Sequence, residues 1–116
     1  MVNKTVIRGD VWTVELPSIG GSVQGGFRPV VIISNNINND KAPTVNIVPI
    51  STAINKKDFP IHAFITKGDG GLNSDSIVLL EQTMTVQKTS LKNHLGHLSD
   101  KSMKLVDNCI KIQLGL

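Results

Sequence analysis

The order of residue patterns along this chain predicts an α+β fold, mostly β, in which a small, strongly curved antiparallel sheet or barrel precedes a C-terminal helix. Short runs rich in β-branched residues alternate with turn formers up to residue 86. Apolar residues take helical spacing only after residue 90. Because the chain has 116 residues, we expect one domain that spans residues 1–116.

Five runs predict strands. Residues 11–16 follow the turn signal Gly9-Asp10, and residues 29–34 are the most apolar run, which predicts a central strand. The other predicted strands are residues 44–50, 61–66 and 76–80, and residues 82–86 continue the last of them after a bend. Pro49 lacks an amide hydrogen, so we expect the end of its strand at an edge or a bulge.

Turn formers and capping residues predict the remaining elements. Residues 35–41 (NNINNDK) predict a polar loop, and residues 68–71 (GDGG) predict a turn. Leu91, Leu95 and Leu98 stand at i, i+4 and i+7, which predicts a short helix. Ser99 or Asp100 then caps a longer C-terminal helix. The apolar residues of this longer helix are Met103, Val106, Ile110 and Leu114.

Composition limits the kinds of partner. The net charge is +3, from 12 Lys and Arg against 9 Asp and Glu, and this fits an anionic partner. One Trp, three Phe and no Tyr are too few for a typical base-stacking platform. Cys109 is the single cysteine, so it forms no intrachain disulfide, and we expect a buried structural thiol. No segment has membrane-spanning length and no apolar signal region precedes residue 11, so we expect a cytoplasmic location.

Several enzyme motifs are missing from the sequence. It contains no G-x-x-x-x-G-K-[ST], no H-E-x-x-H, no G-x-S-x-G and no dinucleotide fingerprint after a strand. His62, His94 and His97 do not combine with carboxylates at metal-binding spacing, so we predict neither a metal site nor a cofactor. His94 and His97 are expected on the solvated face of the short helix.

The glycine-rich segment before residues 29–34 is the most informative part of the chain. Residues 20–26 contain four glycines, which favour a mobile loop that a ligand can approach closely. Arg28 follows, and its permanently charged guanidinium, with paired N–H donors, is suited to bind phosphate. Pro29 restricts the backbone where the predicted strand begins. This context favours a phosphate-binding role for Arg28 over a surface salt bridge.

Polar pairs at two strand ends are further candidates. Ser51 and Thr52 follow V-P-I, and Glu81 and Gln82 follow S-I-V-L-L. Hydroxyl and polar groups at strand ends commonly serve as turn or cap groups, so spacing alone favours a structural role for each.

Taken together, these segments resemble the MazF/PemK toxins. The motifs that carry the resemblance are R-G-D-V-W-T-V-E-L at residues 8–16, G-S-x-Q-G-G-x-R-P-V-V-I-I at residues 21–33, V-P-I-S-T at residues 48–52, D-S-I-V-L-L-E-Q at residues 75–82 and S-D-K-x-M-K-x-V-D-N at residues 99–108. The resemblance covers roughly the whole chain. It implies an SH3-like antiparallel barrel with a C-terminal helix, shared by CcdB and PemK proteins, and a symmetric homodimer.

The resemblance also implies an activity and its residues. It implies a metal-independent, sequence-specific endoribonuclease that cleaves single-stranded mRNA and is neutralised by a cognate MazE/PemI-like antitoxin. Arg28 falls on the family's catalytic arginine and Ser51 on its catalytic hydroxyl residue. The loop is implied to contact RNA, and the RNA-binding candidates are Ser22, Gln24, Gly25, Thr52, His62, Glu81 and Gln82.

Three departures from the family pattern leave alternatives open. Ser51 stands where threonine is usual, Val23 where an acidic residue is common and Met84 where a basic residue is frequent. A homologue that binds RNA or antitoxin with weakened catalysis is one alternative. The shared architecture leaves the other open, a toxin of the CcdB kind that poisons gyrase, because a fold does not fix function.

Overall fold

The computed structural model describes residues 4–52 and 59–116, and within them a seven-stranded antiparallel sheet packs with two α-helices. The strands are β1 (Asp10–Leu16), β2 (Gly26–Ile32), β3 (Thr44–Ser51), β4 (His62–Ile65), β5 (Ser76–Leu79), β6 (Met84–Gln87) and β7 (His94–His97). The helices are α1 (Asn36–Lys41) and α2 (Asp100–Leu114).

The sheet is bent around β3. Its strand order is β4-β5-β3-β2-β1-β7, with β6 also paired to β3. Along one edge, β3 pairs first with β6 over residues 44–47 and then with β5 at residues 50–51. Pro49 lies between these two partners and pairs with Val30 of β2 on the other edge. The described sheet is therefore barrel-like without being closed, and the predicted antiparallel fold with a C-terminal helix is confirmed.

Alternation along the strands produces two apolar clusters on opposite faces. Val11, Val31 and Val48 belong to a cluster that α2 covers with Val106 and Cys109. Trp12, Val30 and Ile47, their neighbours along the chain, belong to the second cluster. The other members of this cluster are Val6, Val14, Leu16, Ile32, Val45 and Leu91. The apolar run in β2 is continuous because both of its faces are buried.

The predicted loop at residues 35–41 is wrong, because most of it forms α1. The side chain of Asn35 accepts a hydrogen bond from the Asn38 amide and caps the helix. Asn39 is buried and its amide group bonds to the Ser34 carbonyl. The sequence did not predict this helix for two reasons: asparagines favour turns, and a six-residue helix held by side-chain hydrogen bonds has no apolar period.

The predicted helix through Leu91, Leu95 and Leu98 is also wrong, because this segment contains β7. His94 pairs with Trp12 and Gly96 with Val11, so Leu95 is an extra residue in a bulge. Leu91 and Leu98 lie outside β7 and are buried in the two different apolar clusters, so the three leucines do not form one helical face.

Smaller differences concern strand limits. β2 begins at Gly26 and ends at Ile32, earlier than the predicted residues 29–34. The segment after residue 82 does not continue β5; it becomes β6 and pairs with β3. α2 begins after the N-cap Ser99, as predicted.

Candidate active site

A glycine-rich loop over residues 17–25 joins β1 to β2, since Leu16 pairs with Gly26. Gly25 lies so close to the start of this loop that an added Cβ would stand 2.9 Å from Cα of Ser18. Gly26 has φ +79°, a conformation that residues with a side chain rarely adopt. The two glycines therefore allow the loop to fold back tightly just before Arg28.

Arg28 lies on β2 opposite the buried Val14. Its Nε donates a hydrogen bond to the Gly25 carbonyl at 2.9 Å, and the side chain is half-buried. Within residues 4–52 and 59–116, this is the one hydrogen bond of the Arg28 side chain. The two terminal nitrogens of the guanidinium therefore keep their N–H donors for a ligand. A guanidinium fixed at one nitrogen and open at two others suits bidentate contact with a phosphate.

Ser51 stands opposite Arg28 when the register of β2 and β3 is extended beyond the pair of Val30 with Pro49. Val30 pairs with Pro49, and both strands continue for two residues beyond this pair, to Arg28 and Ser51. Because side chains alternate along a strand, Arg28 shares the face of Val30 and Ser51 shares the face of Pro49. The register thus directs the guanidinium and the hydroxyl toward the same side of the sheet. Thr52 follows as an exposed residue at the end of β3.

Gln82 holds the glycine-rich loop by its backbone. Its Oε1 accepts a hydrogen bond from the Gln24 amide at 2.8 Å, and its Nε2 donates to the Ser22 carbonyl at 2.9 Å. The turn that carries Gln82 is closed by a bond from its own amide to the Leu79 carbonyl. Three predicted site residues therefore meet in one cluster of hydrogen bonds.

Glu81 and His62 form a second contact in the same region. Nε2 of His62 lies 3.0 Å from each carboxylate oxygen of Glu81. The ring of Phe59 packs edge-on against the imidazole, with centroids 4.8 Å apart. Glu81 precedes Gln82 in the chain, so the pair ties the turn after β5 to β4.

The remaining histidines lie elsewhere and not on a helix. Asp10 is buried, and its Oδ1 lies 2.9 Å from Nδ1 of His97 and 3.4 Å from Nε2 of His94. Cys109 is buried as predicted, and burial raises the pKa of its thiol. In the part of the chain that the structure describes, no group of three or more His, Cys, Asp or Glu is arranged to hold a metal ion. Neither described helix has the length and apolar character that a membrane crossing requires.

Sequence reasoning missed the support beneath the site. Ser18 packs against Gly25, and the Gly25 carbonyl orients Arg28. The loop glycines were a usable signal for close packing, whereas no pattern pointed to Ser18.

Comparisons with known proteins agree with the fold and its motifs. A family model for the PemK-like, MazF-like toxin of type II toxin-antitoxin systems matches residues 7–114. The chain is 50% identical over 109 residues to the Endoribonuclease MazF of Staphylococcus saprophyticus subsp. saprophyticus, covering 94% of this chain and 91% of the relative.

Solved structures extend the fold similarity. A mycobacterial endoribonuclease, solved in complex with its cognate antitoxin, superposes with a TM-score of 0.81 at 24% identity and 95% coverage of both chains. MazF from Deinococcus radiodurans also gives a TM-score of 0.81, at 17% identity, over 98% of this chain and 100% of that one. At these identities the two superpositions establish the fold.

Proposed function

This chain belongs to the PemK-like, MazF-like family of type II toxins and is an endoribonuclease toxin, and we propose that it cleaves single-stranded mRNA with Arg28 and Ser51 as its catalytic residues. The observation that carries the proposal is the position of Arg28. Its guanidinium is fixed by the Gly25 carbonyl, and the register of β2 with β3, extended by two residues, sets Arg28 opposite Ser51.

The proposed reaction uses the nucleophile that RNA supplies. The ribose 2′-hydroxyl gives up its proton as its oxygen attacks the adjacent phosphorus, the bond from phosphorus to the 5′-oxygen breaks, and the departing 5′-oxygen takes up a proton. The products are a 2′,3′-cyclic phosphate and a 5′-hydroxyl end. This displacement needs orientation, charge stabilisation and proton transfer, and it needs no metal-bound water.

Arg28 stabilises the negative charge that develops on the phosphate oxygens. Removing one such preorganised donor costs roughly 3 to 4 kcal/mol of transition-state stabilisation in well-studied sites. The hydroxyl of Ser51 donates a hydrogen bond to a phosphate oxygen from the same face of the sheet. Because a guanidinium offers N–H donors and no acceptor, charge stabilisation is the first role that we propose for Arg28.

The loop and the turn after β5 form the proposed RNA groove. Ser22, Gln24 and Gly25 offer backbone and side-chain groups at its rim, and exposed Thr52 extends it beyond β3. Glu81 contributes from the turn, and Gln82 shapes the groove by holding the loop backbone at Ser22 and Gln24. The His62 side chain is 2% exposed, so its role in the groove is to hold the carboxylate of Glu81 in place.

We further propose a homodimer and a cognate antitoxin of the MazE/PemI kind as partners. A net charge of +3 favours an acidic, poorly ordered antitoxin segment. The mycobacterial structure, an endoribonuclease with its cognate antitoxin, supports the proposal of an antitoxin partner through its shared fold.

A defined transcript tests the function. The purified protein is incubated with a long single-stranded RNA in EDTA, and the new 5′ ends are sequenced and assayed for hydroxyl groups. Discrete cuts with 5′-hydroxyl ends, lost in Arg28→Ala, are the expected result. Intact RNA together with inhibited gyrase supercoiling would instead support the CcdB-like alternative, and bound but uncut RNA would support a weakened homologue.

A further inference from the structure

Gln82 connects two parts of the proposed active site that are far apart in sequence. Its side-chain amide bonds to the Gln24 amide and the Ser22 carbonyl, so it satisfies a donor and an acceptor of the loop backbone. A contact made with side-chain atoms of the loop would vary with rotamer, whereas these two bonds fix the path of the main chain.

The element that carries Gln82 is itself anchored. The Gln82 amide bonds to the Leu79 carbonyl, and the preceding Glu81 bonds to the buried His62. Leu79 pairs with His62 in the sheet. The turn after β5 is therefore a firm support. The loop is more open, since a Cβ added at Gly20 or Gly21 would meet no atom within 4 Å.

The loop in turn orients Arg28. Gly25 directly follows Gln24, and its carbonyl accepts the hydrogen bond from Arg28 Nε. A shift of the backbone at Gln24 would move this carbonyl and turn the guanidinium. Gln82 is thus connected to Arg28 through residues 22–25: Gln82 bonds to the backbone of Ser22 and Gln24, and Gly25 bonds to Arg28.

We infer that Gln82 is a positioning residue for the cleavage reaction, which braces residues 22–25 so that the Gly25 carbonyl holds Arg28 toward the scissile phosphate. This inference rests on the proposed function. It differs from a role for Gln82 in binding RNA directly, because a brace acts on turnover and not on the choice of base.

Two variants test the brace. Gln82→Met keeps most of the side-chain volume but removes the amide group that makes the hydrogen bonds. Gln82→Ala removes the volume as well as the amide group. Gln113→Ala, an exposed glutamine on α2, is the matched control. For each protein we would measure kcat and KM on the mapped transcript and on two transcripts with altered flanking bases, together with hydrogen exchange at the Gln24 amide.

We expect both Gln82 variants to lose roughly 10- to 100-fold in kcat on all transcripts, because small misplacements of catalytic groups have effects of this size. KM should change less than about threefold, and the Gln24 amide should exchange about tenfold faster. If Gln82→Met has as low a kcat and as fast a Gln24 exchange as Gln82→Ala, the lost hydrogen bonds and not the lost side-chain volume cause the defect.

Three outcomes would overturn the inference: unchanged Gln24 exchange, unchanged kcat despite faster exchange, or a rise in KM with altered base preference. Failure of the wild-type protein to cut RNA would overturn the proposed function instead. Exchange at Gln24 would still report on the brace in that case.

Discussion

Both carboxylate oxygens of Glu81 lie 3.0 Å from Nε2 of His62, whose side chain is 2% exposed. A polar ring that is buried this deeply requires partners for its nitrogens. Glu81 is therefore part of the fold as well as a candidate for the RNA groove.

Replacing Glu81 should destabilise the protein. We expect Glu81→Ala to lower the free energy of unfolding by about 1 to 3 kcal/mol, because the buried imidazole loses its carboxylate partner. Glu15→Ala, an exposed glutamate on β1, is the control and should change it by less than about 0.5 kcal/mol. Urea unfolding measures both. Equal effects of the two substitutions would show that the pair with His62 contributes nothing.

The sequence predicted the parts of this fold that local chemistry decides. β1 and β3 have turn signals and alternating apolar residues, and α2 has Ser99 as its cap, so their positions agree closely with the structure. β7 could not be predicted in this way. Its bulge at Leu95 depends on pairing with β1, which no local pattern in residues 91–98 reveals.

The candidate site shows the same division. Arg28 stood out because glycines precede it and an apolar strand follows. The contacts of Gln82 with Ser22 and Gln24 join residues about 60 positions apart, which no local pattern reveals. The pairing of Glu81 with His62 was equally hidden, although both residues were candidates.

Arg28 should be essential to cleavage without being essential to folding. We expect Arg28→Ala to reduce kcat by at least roughly 100-fold, since it removes the donors aimed at the developing charge. Arg28→Lys keeps the charge but loses the fork and should recover only part of the rate. Lys111→Ala removes one positive charge from α2 and serves as the control in a single-turnover assay. Wild-type kcat in Arg28→Ala would reject the catalytic assignment.

The hydroxyl of Ser51 should matter more than the size of its side chain. Ser51→Ala is expected to lower kcat roughly 100-fold, whereas Ser51→Thr keeps the hydroxyl and should stay close to the wild-type rate. Single-turnover cleavage, with the enzyme in saturating excess over the RNA, separates this effect from binding. A slow Ser51→Thr beside a fast Ser51→Ala would mean that packing, and not hydrogen bonding, decides the rate.

Asp69 holds the N-terminal end of α2, the helix that covers one of the apolar clusters. Its carboxylate accepts hydrogen bonds from the amide and hydroxyl of Ser99 and from the hydroxyl of Ser102 at the start of α2. Burial raises the pKa of Asp69, but the hydrogen bonds from Ser102, Ser99 and Gly70 together outweigh it and hold the pKa below its usual value of 3.8. Folding therefore favours the ionised form.

Asp69 should make stability depend on pH in the acidic range. Because its pKa is lower in the folded protein than in the unfolded chain, its contribution is complete above the usual value and is lost as the pH falls through the folded value. We expect Asp69→Asn to cost about 1 kcal/mol at pH 7, and this difference from the wild type should shrink below about pH 4. Asp40→Asn, which changes an exposed carboxylate, should show neither effect. Urea unfolding from pH 3 to pH 7 measures the difference, and a gap that widens on acidification would contradict the role of the ionised carboxylate.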